Sequence, residues 1–117
     1  MDDTLIKEFE MLHAQVCHAL SDPKRLLMLY LLSRKAYSVG ELADSLGIPQ
    51  PTASRHLAIL RERSLVEANR DGAMVFYSVK EARLEHVIEL LRSILRDRLH
   101  EQARLADAHD IPLSDEG

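Results

Sequence analysis

Sulfur, glycine and aromatic rings are scarce in this sequence, and each scarcity closes off a class of function. Among 117 residues there is one cysteine, Cys17. That rules out an intrachain disulfide and a paired-cysteine zinc motif, and it suits a reducing compartment. With four glycines the chain carries no Gly-rich phosphate loop, and neither G-x-S-x-G nor H-E-x-x-H occurs. Acids and histidines are scattered along helix surfaces, where solvation accounts for them, so the sequence reads as non-enzymatic and offers no cofactor site. No apolar run spans a bilayer: Leu26 to Leu32 is apolar all round but too short, and it reads as a buried central helix. The opening Met1-Asp2-Asp3-Thr4 lacks the basic-then-apolar pattern of a leader, which points to a cytoplasmic protein with no membrane partner.

Excess positive charge is also lacking. The net charge is −4, which counts mildly against nucleic-acid binding. Its distribution softens that objection, though non-specific binding weaker than a basic protein's is still expected. Six acids and two arginines lie from Asp97 onward and account for the whole imbalance, while three arginines and one glutamate lie between Pro49 and Arg63. Local charge at a contact face governs phosphate binding more than the global sum.

What is present is a succession of strong local signals from Ser38 to Val79. Ser38 is an N-cap, and Glu41 completes a capping box. Leu42, Ala43 and Leu46 follow at helical spacing, and Gly47 sits where a helix ends in a left-handed residue. Pro49 and Pro51 fall at the start of a second helix, where a missing N–H costs little. That helix buries Ala53, Leu57 and Leu60 and leaves Gln50, Thr52, Ser54, Arg55 and His56 towards its exposed N-terminal half. Short hydrogen-bonding groups with a guanidinium are what reading base edges and holding phosphates require. Leu65–Arg70 and Ala73–Val79 flank Asp71-Gly72, which predicts a hairpin with a two-residue type I′ turn. Arg70 at its tip can reach a phosphate and Asn69 can hydrogen-bond one. Helix, turn, helix and hairpin in this order form a device for DNA.

These segments resemble one known group. Ala19-Leu20-Ser21-Asp22-Pro23-Lys24-Arg25-Leu26 is similar to its "ALxDPxRL" motif, Gln50-Pro51-Thr52-Ala53-Ser54-Arg55-His56-Leu57 to its recognition helix, and Asp71-Gly72 with Val75-Phe76-Tyr77-Ser78 to its wing. Together they resemble the ArsR/SmtB family of winged-helix repressors over about residues 15 to 80. The resemblance implies a homodimeric transcriptional regulator, usually a repressor released by a metal or other inducer. It implies operator DNA as partner, with the first and last helices as dimer interface, and it places Gln50, Thr52, Ser54, Arg55 and His56 at DNA-contact positions.

The expected fold is mainly α with a small β-hairpin: a winged helix-turn-helix whose long N- and C-terminal helices form a dimer interface. Residues 1–109 make one domain, with the helix-turn-helix at 38–63, the wing at 65–79 and dimerisation helices at 4–20 and 81–106. Residues 110–117 read as a flexible acidic tail. Leu5, Phe9, Leu12, Val16 and Leu20 share a face of the first helix; Leu84, Val87, Ile88, Leu91, Leu95 and Leu99 form the stripe of the last. At about 1.5 Å per residue the last helix would be near 40 Å long, and a second copy is the natural cover for its outer stripe. The interface expected is thus Leu5, Phe9 and Leu12 with Leu84, Ile88, Leu91, Leu95 and Leu99.

The metal sites implied by the resemblance lack their ligands: the thiolate stretch reads Ala43-Asp44-Ser45, and the early last-helix site reads Glu81-Ala82-Arg83. Weaker candidates are His13 with Cys17, four apart on one helix face, and His100, Glu101 and His109, with His86 too far along the helix to join them. Cys17 is also a candidate oxidant sensor. The inducer is not written in the sequence. The alternatives are a winged-helix module that binds protein, and a repressor answering to metal or thiol chemistry through these residues.

Overall fold

Three helices begin where a side chain satisfies free N–H groups. The computed structural model describes residues 1–114, with side chains through residue 108. Contacts divide the chain into two units, residues 1–85 and the segment from His86 on. In the first unit Asp2 accepts from Thr4 N at 3.1 Å and opens α1 (Asp3–Leu12). Asp22 accepts from Lys24 N at 2.7 Å and Arg25 N at 3.3 Å, and Pro23 is the first residue of α3 (Pro23–Arg34). Ser38 and Glu41 close both halves of the expected capping box on α4 (Val39–Leu46), at 3.2 and 2.9 Å. Gly47, at φ +66°, ends α4 in the left-handed conformation, and Ile48 N bonds back to Ala43 O at 3.0 Å. Then α5 (Gln50–Glu62) starts behind Pro49.

The first helix is not the uninterrupted one expected over 4–20. Between α1 and α2 (His18–Leu20) the segment His13–Cys17 forms a π turn, with one residue more per turn. The extra residue breaks the stripe. Nothing on α1 is buried, whereas Val16 and Leu20 are half-buried and Ala19 is fully buried.

The core lies under the helix-turn-helix. Its buried apolar residues include Met28, Leu29 and Leu32 of α3, Leu42 and Ala43 of α4, Ala53, Leu57 and Leu60 of α5, and Leu65 and Val66 at the entry to the hairpin. Burying each of the larger side chains stabilises the fold by about 1.5–3 kcal/mol. Leu27, inside the apolar run, is 45 % exposed, so α3 is not covered all round.

The hairpin pairs β1 (Val66–Asp71) with β2 (Met74–Val79), antiparallel, from Val66↔Val79 to Asp71↔Met74. Its loop is Gly72-Ala73, one residue beyond the expected Asp71-Gly72. Gly72 takes φ +64° and Ala73 keeps a negative φ, as in a II′ turn rather than the I′ turn expected. Tyr37 adds a bridge to Tyr77, through N–H···O bonds of 3.0 and 2.7 Å, that ties the hairpin to the entry of α4.

The last helix, α6 (Arg83–Ser114), begins in the first unit and provides the second. It runs past the residue 106 boundary read from the sequence, and positions 115–117 of the expected tail lie outside the described residues. No described helix is long and apolar enough to cross a membrane.

Candidate nucleic-acid interface

The helix-turn-helix gives α5 a dry face and a wet one. Ala53, Leu57 and Leu60, at i, i+4 and i+7, are at most 1 % exposed. Their anchoring leaves Gln50, Ser54 and Arg55 exposed and Thr52 half-buried. Arg55 Nη2 donates to Thr52 Oγ1 at 3.3 Å, a weak tether that leaves most of its donors free. None of the large exposed apolar side chains lies on α4 or α5. Asn69 and Arg70 are exposed on the hairpin, paired with Phe76 and Val75. Arg70 stands one residue back from the last pair, Asp71↔Met74. The first unit therefore holds together Gln50, Thr52, Ser54 and Arg55 on one helix, with Asn69 and Arg70 on the wing.

His56 is placed differently. Its side chain is 15 % exposed. Nδ1 lies 3.3 Å from Arg25 Nη1, and Nε2 lies 4.0 Å from Asp22 Oδ1. Burial pushes the Asp22 carboxyl up; the N–H groups of Lys24 and Arg25, then the charges of His56 and Arg25, outweigh it and hold the group below its usual 3.8. In the sequence Arg25 stands out only as one letter of the Ala19–Leu26 motif. The only signal was a guanidinium one turn into the helix that carries the apolar run.

A regulatory-protein family model, described as bacterial regulatory protein, arsR family, matches residues 22–68. Over 81 residues, 69 % of this chain and 71 % of the relative, the sequence is 38 % identical to a biofilm growth-associated repressor of Xylella fastidiosa. The chain belongs to the arsR family. Solved structures agree with this fold. NolR from Sinorhizobium fredii has a TM-score of 0.73 at 32 % identity, with 80 % of this chain and 93 % of that one covered. The homodimeric winged helix-turn-helix DNA-binding domain of Mb0332 from Mycobacterium bovis reaches 0.74 at 27 % identity, covering 86 % and 93 %. This arsR-family chain is a winged helix-turn-helix regulator.

The metal sites that the family resemblance implies do not fit its residues. In Ala43-Asp44-Ser45 Ala43 is buried and Asp44 is the one ligand type present. In Glu81-Ala82-Arg83 the carboxylate is held by Arg83, whose Nε and Nη2 donate to it at 2.7 and 3.0 Å. Among the described residues no three of His, Cys, Asp and Glu are grouped to hold an ion. His13 and the exposed Cys17 stand at the two ends of the π turn. His100 and Glu101 are exposed on α6, where Glu101 accepts from Arg104 Nη2 at 2.6 Å. The side chain of His109 lies outside the described residues.

The interface residues expected from the sequence fall into two groups. Leu5, Phe9, Leu12, Leu91, Leu95 and Leu99 are 41–59 % exposed, whereas Leu84 and Ile88 are buried within the chain itself. Ile6, also exposed, widens the apolar arc of α1.

Proposed function

We propose that this chain is a cytoplasmic, homodimeric repressor that binds operator DNA with α5 in the major groove and the wing on the backbone. The observation that carries the reading is the composition of the exposed face of α5: amide, hydroxyls and guanidinium, with no large apolar side chain. A face that docks protein presents apolar or aromatic anchors instead. Gln50, Thr52, Ser54 and Arg55 read bases or position the helix, and Asn69 and Arg70 hold phosphates. The dimer places two such helices about one DNA turn apart. Leu5, Phe9 and Leu12 of α1 and Leu91, Leu95 and Leu99 of α6 supply its apolar cover, as the homodimeric Mb0332 domain supports by analogy. The chain works by binding, not by catalysis.

The test is a gel shift with DNA upstream of the chain's own gene against random DNA of equal length. A salt-dependent, sequence-selective shift is expected; equal affinity for both would overturn the reading.

A further inference from the structure

The recognition helix is tied at two places to the helix that opens the chain. Arg25 is 8 % exposed, and a buried guanidinium is costly unless its donors are used. Nε donates to Ala19 O at 2.8 Å, Nη2 to His18 O at 3.3 Å, and Nη1 lies 3.3 Å from His56 Nδ1. One side chain thus joins the last residues of the N-terminal helix to the middle of α5. Two turns further on, at the residue that caps the C-terminus of α5, Arg63 Nη1 donates to Gln15 Oε1 at 3.2 Å in the π turn. His56 and Arg63 are seven apart, so both ties grip one face of α5, and both grip it from the segment between Gln15 and Ala19.

Apolar packing by Ala53, Leu57 and Leu60 keeps α5 in the core but tolerates small rotations, because dispersion contacts have no direction. A planar guanidinium fork has direction. The side chains beside His56 in sequence, Ser54 and Arg55, are exposed, and a few degrees of rotation about the α5 axis would move their tips off the base edges. We propose that Arg25 and His56, with Arg63 and Gln15, are positioning residues for DNA binding: they set the rotation of α5 from the N-terminal helix, and His56 acts through Arg25 rather than on a base. The inference rests on the reading of α5 as the DNA-contacting helix. It also links the exposed apolar face of α1 mechanically to the recognition helix through the π turn.

The experiment compares operator with random DNA for the native chain and for His56→Leu, His56→Asn, Arg25→Met/His56→Leu and Gln15→Ala, at matched salt and with helicity checked by circular dichroism. Leucine removes the acceptor facing Arg25, and asparagine replaces it with an amide oxygen. His56→Leu is expected to lower the operator-to-random ratio about tenfold with random-DNA affinity little changed, and the double variant to do no worse, since the pair acts as one unit. His56→Asn should restore the native ratio. A native ratio in His56→Leu, or a His56→Asn as poor as His56→Leu, would overturn the proposal; the second result would make the imidazole itself the DNA contact. Should His56→Leu not fold, Gln15→Ala decides, because Gln15 is exposed and outside the core: a ratio about threefold lower is expected for loss of one such tie, and an unchanged ratio would overturn it. If the native chain itself fails to prefer its operator, the DNA-binding reading falls instead, before any variant is compared.

Discussion

Helices α1 and α5 both lie at the surface of the first unit, and they offer solvent opposite chemistry. α1 buries none of its residues and exposes Leu5, Ile6, Phe9, Met11 and Leu12. α5 buries three apolar residues and exposes amide, hydroxyl and guanidinium groups. An apolar face left in water forgoes about 25 cal/mol for each Å² that a partner would cover. A polar face loses nothing by staying wet until a polyanion displaces its water and counterions. The difference supports the proposal that a second copy of the chain covers α1 and that DNA meets α5.

The largest effect comes from making α1 resemble α5. Phe9→Glu puts a charge in the apolar arc without touching the core, because Phe9 is 59 % exposed. A buried, unpaired carboxylate opposes association, so light scattering should give a monomer where the native chain gives a dimer, with the circular dichroism spectrum unchanged. Loss of the second recognition helix should cost about 100-fold or more in operator affinity. A variant that still gives a dimer mass would put the interface elsewhere.

Next comes α5 itself and the wing. Arg55→Ala should remove roughly 1–3 kcal/mol of discrimination at one base position. Arg70→Ala should weaken all sequences alike and flatten the salt slope by about one unit. Both variants should remain dimers. If Arg55→Ala and the native chain bind operator equally at matched salt, α5 is not the reading helix.

The two helices were not equally legible in the sequence. The signals that delimit the helix-turn-helix are local: Ser38 and Glu41 are three apart, Gly47 needs only its own φ, and Ala53, Leu57 and Leu60 declare the dry face of α5. The π turn at His13–Cys17 has no such signature, since its residues fit an α-helix as well. In an uninterrupted α-helix, Val16 and Leu20 would continue the α1 stripe. The hairpin was legible as a hairpin but not in register: Asp71-Gly72 is a good turn pair, yet the pairing of Val66 with Val79 and the Tyr37 bridge to Tyr77 move the loop to Gly72-Ala73. Periodicity alone puts His56 on the wet face, because its partners, Arg25 and Asp22, are more than thirty residues away in sequence. The burial of Leu84 and Ile88 has the same cause: a stripe says which residues share a face, not what covers it.

A smaller effect should leave both faces alone. Ser64, between α5 and β1, is the one non-glycine residue with positive φ among those described, at +61°. That conformation costs an L-residue about 1–2 kcal/mol, of which glycine's greater freedom in the unfolded chain takes back part. Ser64→Gly should therefore raise the stability by up to about 1 kcal/mol, read as a higher urea midpoint at unchanged slope. Dimer mass and operator selectivity should stay native. If selectivity changes with stability, the end of α5 is part of the reading surface, and the division between the two helices is less clean than their exposed groups imply.

The smallest effect is electrostatic and lies at the start of α6, away from both helices. Glu81 accepts from Arg83 through Nε at 2.7 Å, Nη2 at 3.0 Å and the backbone N at 3.2 Å. The side-chain bonds, then the backbone one, push its carboxyl down from 4.5 to about 2. A carboxylate whose pKa is lower folded than unfolded stabilises the fold in its ionised form. The contribution is therefore present in full above pH 4.5 and is lost as pH falls through about 2. Glu81→Gln should be slightly less stable than the native chain at pH 6, and the gap should narrow near pH 2. The gap should be small and should shrink in high salt, because Arg83 is 86 % exposed and Glu81 39 %. Urea midpoints of the two proteins at both pH values measure it. A gap that persists unchanged at pH 2 would mean that the glutamine disturbs the start of α6 by packing, not by loss of charge. At pH 7 the variant should keep the native mass and operator selectivity, because neither the apolar arc of α1 nor the polar face of α5 draws on this pair.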